Sequence, residues 1–197
     1  MKGKPDPLLY GHGRARLAEL ERLGGQGRLR IFYGDETHLC SEGYVPYGWQ
    51  FKGEQVCTEV EKRFRLNVFG LVSRDNVCHW ASTSEKINAE FIARQLDLLS
   101  LDIKLPTVAV LDNASVHRAR VIRERRPIWE QRGLHLFFLP PYSPHLNIAE
   151  TLWRHLKGGW LNPQDYATAD DLAYALNRCL HNVGKSLKIK FSPFNAN

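Results

Sequence analysis

Two hydrophobic rhythms alternate along the chain, and the switches between them mark its elements. Over 7–24, Leu9, Leu17, Leu20 and Leu23 recur at helical spacing until Gly24 and Gly25 stop the run. Residues 29–33 (LRIFY) then alternate as a strand and run into Gly34, Asp35 and Glu36. The Gly-, Pro- and aromatic-rich stretch 40–55 reads as a loop or short hairpin, followed by a strand over 63–73, a turn at 74–76 and a strand over 77–81. Ile87, Phe91, Leu98 and Leu99 predict one apolar face of a helix over 87–99. The β-branched and aliphatic run 107–111 (TVAVL) predicts a strand buried on both faces. A helix over 116–131 ended by Gly133, a buried strand over 134–139, and an irregular loop forced by Pro140, Pro141 and Pro144 come next. A helix over 147–158 is ended by Gly158 and Gly159, and a last helix over 168–183 starts from a capping box at Thr168 and Asp171.

Three strands on short connections predict an antiparallel meander, and the later alternation of helix and strand predicts parallel additions. The expected fold class is α/β, a mixed five-stranded sheet flanked by helices. No apolar run reaches the 18 or so residues of a membrane span, and residues 1–7 have no apolar segment behind them to make a signal peptide. A cytoplasmic protein is the expectation. There, Cys40, Cys57, Cys78 and Cys179 would stay reduced. Cys78 beside His79, without a second pair, matches structural zinc spacing poorly.

The net charge of +6 favours a polyanionic partner. Arg118, Arg120, Arg123, Arg125, Arg126 and Arg132 cluster against Glu124 and Glu130, and Lys185, Lys188 and Lys190 mark the tail. Such clusters serve equally as a solvated face or as phosphate contacts.

Three acids stand at element ends: Asp35 after the first strand, Asp112 after the fourth, and Glu150 in the first turn of the helix over 147–158. In open α/β sheets, reactive groups collect outside strand C-terminal ends. If the first and fourth strands are parallel neighbours, Asp35 and Asp112 sit side by side, and a hard divalent cation is the natural compensator of their charge. Each acid also has a plain alternative. Asp35 could cap a strand end, with Glu36 pointing to the opposite side. Asp112 and Asn113 could form a turn. Asn147 and Glu150 could be a reciprocal helix cap.

Three blocks resemble the signatures of DDE transposases of the bacterial insertion-sequence group related to mariner elements: 32–37 (FYGDET), 110–117 (VLDNASVH) and 139–150 (LPPYSPHLNIAE), with Trp153 and Lys157 in keeping. The resemblance spans roughly 29–184. It implies an RNase H-like fold holding two Mg2+ ions, with Mn2+ as substitute: Asp35 bridging both, Asp112 on one and Glu150 on the other. It further implies nicking at transposon ends and joining of the 3′-hydroxyl to target DNA, within a homodimer associated with the nucleoid.

Asn113, His117, Arg118, Tyr142, Asn147 and Lys52 are candidates for DNA contact or for support of the acids, and the loop 44–49 for substrate contact. Each has a structural alternative as a turn, cap or core residue. The 37 residues between Asp112 and Glu150 slightly exceed the interval expected of mariner relatives. Residues 1–28 are expected as a helical extension, 29–184 as the catalytic domain and 185–197 as a basic tail. That leaves too little chain before the first block for end-reading helix-turn-helix modules, which an upstream partner or a missing N-terminal domain is expected to supply. Competing readings are another RNase H-like nuclease and an inactive or domesticated DNA-binding remnant.

Overall fold

The computed structural model describes residues 6–41 and 64–194; Lys52 and the loop 44–49 lie outside the described residues. Five strands form one sheet in the order β3-β2-β1-β4-β5: β1 Arg30–Cys40, β2 Arg65–Val72, β3 Cys78–Thr83, β4 Thr107–Leu111 and β5 Leu134–Phe138. The first three pair antiparallel and β1, β4 and β5 pair parallel, so the predicted meander with two parallel additions is the observed topology.

Side-chain alternation splits the sheet into two cores. Tyr33, Val68 and Val110 face Leu17 of α1 (Pro7–Gly25), Leu152 of α4 (Ala149–His155) and Leu176 of α5 (Ala169–His181). Phe32, Phe69 and Ala109 face Ile92 and Leu96 of α2 (Ala89–Leu101) and Trp129 of α3 (Arg120–Gln131). The run 107–111 is buried at every position, as a strand covered on both faces must be. No helix among the described residues is long and apolar enough to cross a membrane.

The structure corrects several expectations. β1 does not end before Asp35. It continues to Cys40 because β2 pairs with it from Tyr33 to Cys40, and this tertiary pairing overrides the turn-like sequence at Gly34 and Asp35. On α2 the buried stripe is Ile92, Ala93, Leu96 and Leu99, and Leu98 is 58 % exposed. The helix expected over 116–131 is broken: a 3-10 turn at Ser115–Arg118 is separated from α3 by extended Ala119, and the turn directs His117 into the protein. The helix carrying Glu150 starts at Ala149 and runs past the expected stop into one π-helical turn, Leu156–Trp160, closed by the Leu161 N–H on the Leu156 carbonyl at 3.0 Å. Gly158 and Gly159 have no Cβ to crowd that wide turn. Thr168 does cap α5, accepting from Asp171 N, but the Asp171 carboxylate takes the Thr168 hydroxyl, where a reciprocal box would use the backbone.

Candidate active site

The parallel register decides where the acids stand. Tyr33 of β1 lies opposite Val110 of β4. Two residues further on each strand are Asp35 and Asp112, at the same level and on the same face of the sheet. That is the face covered by α4, whose first turn carries Glu150. All three acids line one cavity of about 360 Å3, walled by residues 139–144. Asp35 is thus a mid-strand residue of β1, placed just past the point where β4 stops pairing.

Asn147 fixes the α4 start to this spot. Its Nδ2 donates to the Gly34 carbonyl at 3.0 Å, next to Asp35, and its Oδ1 accepts from Ala149 N at 3.1 Å. The reciprocal cap that is the alternative reading of Asn147 and Glu150 does not form. The Glu150 N–H meets the Asn147 backbone carbonyl, and Ile148 occupies the cap position. A missed residue completes the arrangement. Gly70 of β2 pairs with Asp35, and a Cβ there would lie 2.5 Å from Trp153 Cη2. The absent side chain lets the buried Trp153 ring, and α4 with it, lie close on the sheet beside Asp35. The signal was available: a glycine inside an apolar strand often marks close approach. Gly70→Ala is expected to cost roughly 1–3 kcal/mol by overpacking, read as a lower melting temperature. An unchanged melting temperature would contradict this account of the contact.

The electrostatics divide the acids. Burial pushes the Asp35 carboxyl up to about 7, with Glu36, Asp112 and Glu150 adding repulsion against a backbone bond from Glu36. Asp112 is held below the usual carboxylate range, chiefly by its bond with His117, helped by the Ala114 N–H. His117 Nδ1 lies 2.7 Å from Asp112 Oδ1 and Ala114 N lies 3.0 Å from the same oxygen, so both donors converge on Oδ1. The His117 side chain is fully buried, and its Nε2 lies 3.2 Å from Glu36 Oε1, at ion-pair distance but off the hydrogen-bond axis. Burial alone would lower the imidazole; the two carboxylates outweigh it and raise it to about 9. Glu36 does point to the opposite side of the sheet, as alternation requires, and there it faces His117.

Asn113 and Tyr142 line the cavity. Tyr142 is 63 % exposed and holds φ 58, a strained conformation for a bulky residue. Lys157 is half-buried, its ammonium pushed down by burial and partly restored by Cys40 and Asp35. Arg118 is not in the cavity wall; it lies over the Phe138 ring at 6.0 Å. At the far edge, burial raises the Cys78 thiol to about 12, the reverse of what a zinc thiolate needs. Among the described residues, no three His, Cys, Asp or Glu side chains gather closely enough to cage an ion by themselves.

The family model for DDE superfamily endonuclease matches residues 30–173, which include all three acids. The chain belongs to this DDE superfamily. Its fold is similar to that of the mariner Mos1 paired-end complex with Mg, at TM-score 0.64 and 16 % identity over 91 % of this chain and 57 % of that one. The Mos1 paired-end complex with Mn gives TM-score 0.61 and 18 % identity, with coverage of 94 % and 62 %. The catalytic domain of Mos1 mariner transposase gives TM-score 0.58 and 14 % identity, with coverage of 94 % and 93 %. The DDE chain thus has the RNase H-like fold of a transposase catalytic domain, and it spans about six-tenths of the Mos1 chains in the complexes. No curated protein matches its sequence.

Proposed function

We propose that this DDE chain is the catalytic domain of a DNA transposase that cuts phosphodiester bonds at transposon ends and joins the freed 3′-hydroxyl to target DNA. The observation that carries the reading is the convergence of Asp35, Asp112 and Glu150 on one cavity, set by the β1–β4 register.

The donor set suits a hard divalent cation. All three side chains offer oxygen, and the raised Asp35 carboxyl carries a cost that a cation would remove. Mg2+, with Mn2+ as substitute, keeps several waters and binds through few carboxylates plus substrate phosphates. Asp35, Asp112 and Glu150 would hold two such ions. Bound there, the ions would activate a water or 3′-hydroxyl and stabilise the leaving oxygen.

The protein's share is positioning and charge. Asp112 lines the cavity while His117 and Ala114 hold its Oδ1. Asn147 ties Glu150's helix to β1. Asn113 and Tyr142 sit where a strand would cross the rim. In the first step a water oxygen bonds to phosphorus and the P–O3′ bond breaks, leaving a 3′-hydroxyl. In the second, that hydroxyl oxygen bonds to a target phosphorus and displaces the target's own 3′-oxygen. Two copies of the chain would hold the two ends.

The test is nicking of supercoiled DNA in Mg2+ or Mn2+. Asp112→Asn and Glu150→Gln are each expected to lower the rate by about 10²–10³-fold or more. Metal-dependent nicking that survives either change at the wild-type rate would defeat the assignment.

A further inference from the structure

The acidic cavity has a neighbour of opposite sign. On the other flank of the 143–148 loop, a groove of about 390 Å3 runs between α1, α4 and residues 190–194, and Asn147 lines both concavities. Its charged lining is Arg14, Arg74, Arg154 and Lys190, joined by His145 and His155; no carboxylate among the described residues lines it. Arg74 is matched by Glu21 at 2.8 Å and donates to the Ser192 carbonyl at 2.7 Å, which fixes the segment 190–194 as one wall. His145 is held by the Tyr10 hydroxyl at 2.9 Å. Arg154 and Lys190 are exposed, and Arg154 donates to the Thr151 hydroxyl at 3.4 Å.

The arginine cluster most prominent in the sequence is different. Arg120 pairs with Glu124 at 2.6 Å, Arg126 with Glu130 at 2.7 Å, and Arg125 with Asp97. Much of its charge is already matched within the cluster, whereas the groove is lined by four cationic side chains and, among the described residues, by no carboxylate. A carboxylate-lined cavity repels phosphates, so a strand that enters it gains from a cationic track beside it.

We propose that the groove between α1, α4 and residues 190–194 grips the phosphate backbone of the DNA arm leading away from the acidic cavity. This rests on the reading of the chain as acting on DNA. It assigns the backbone contacts to Arg154 and Lys190 and away from the paired face of α3.

The test is fluorescence anisotropy of a labelled duplex of about 30 base pairs in EDTA, over about 50–200 mM salt. Binding without metal separates the groove from cleavage. Arg154→Glu with Lys190→Glu is expected to weaken binding at least tenfold at about 100 mM salt and to make the salt slope shallower by about two. Arg123→Glu with Arg126→Glu on α3 should stay within about twofold of wild type. Should the charge reversals fail to fold, Arg154→Gln with Lys190→Gln is expected to show the same slope change. Wild-type affinity and slope in the groove variants, or equal weakening by the α3 pair, would overturn the groove alone. A wild-type protein that shows no salt-dependent duplex binding would overturn the DNA reading and the groove with it.

Discussion

Asparagine in place of Asp35 is expected to stabilise the metal-free protein at pH 8 while abolishing its DNA cleavage. The two effects have one cause. Asp35 sits on a covered sheet face with Glu36, Asp112 and Glu150 nearby, and burial raises its carboxyl to about 7. An unfolded aspartate titrates near 4. Between these values the folded state holds the extra proton, so stability falls as pH rises from about 4 to about 7, and the full penalty stands above 7. Asn has the same shape and no charge to desolvate. At about 1.4 kcal/mol per pKa unit, the substitution should recover on the order of 2–4 kcal/mol at pH 8, or roughly 5–10 °C in melting temperature for a chain of this size. At pH 4 the gain should vanish. Adding Mn2+ should raise the wild-type melting temperature and leave the Asn variant almost unmoved. A variant less stable than wild type at pH 8 would show that Asp35 carries no such burial cost, and one stabilised equally by Mn2+ would remove Asp35 from the residues that hold the cation.

His117→Ala is expected to act in the opposite direction. The buried imidazole stands between Asp112 and Glu36, and its removal leaves a cavity and two carboxylates without their shared cation. The cost is roughly 2–4 kcal/mol, toward the lower end because the Asp112 side chain is half exposed to water. The pH dependence identifies the cause. With the folded imidazole raised to about 9 and the unfolded one near 6.5, the stabilisation is complete below about 6.5 and is lost as pH rises through 9. Wild-type melting temperature should therefore decline between pH 6.5 and 9, and His117→Ala should flatten that decline while keeping the one due to Asp35 at lower pH. Cleavage should fall about 10–100-fold, as for other residues that orient a ligating group. His117→Gln, which can still donate to Asp112 Oδ1, should recover part of the rate without restoring the pH dependence. An unaltered decline above pH 6.5 in His117→Ala would remove the imidazole from this role.

What the sequence revealed and what it hid follow from the range of the interactions involved. The runs 107–111 and 134–139 announce buried strands because their apolar content is local, and Asp112 falls at the end of the first by simple counting. The length of β1 is not local. Gly34 and Asp35 look like a strand end until β2 supplies a partner across 33–40. Asn147 has the spacing of a helix cap with Glu150, yet its amide is spent on the Gly34 carbonyl, 113 residues away in sequence. His117 was legible as a candidate support for the acids, but not as a buried imidazole between Asp112 and Glu36. Its burial depends on the helix interruption at Ala119, and nothing in the apolar pattern of 116–131 announces that interruption. Leu98 was assigned to the wrong face because the periodicity of 87–99 admits two neighbouring stripes.

The proposed cation shared by Asp35 and Asp112 is open to anomalous diffraction from crystals soaked in Mn2+. The expected result is a peak about 2 Å from carboxylate oxygens of both Asp35 and Asp112, lost in Asp35→Asn crystals. Mn2+ bound elsewhere, with no peak between these two residues, would contradict it.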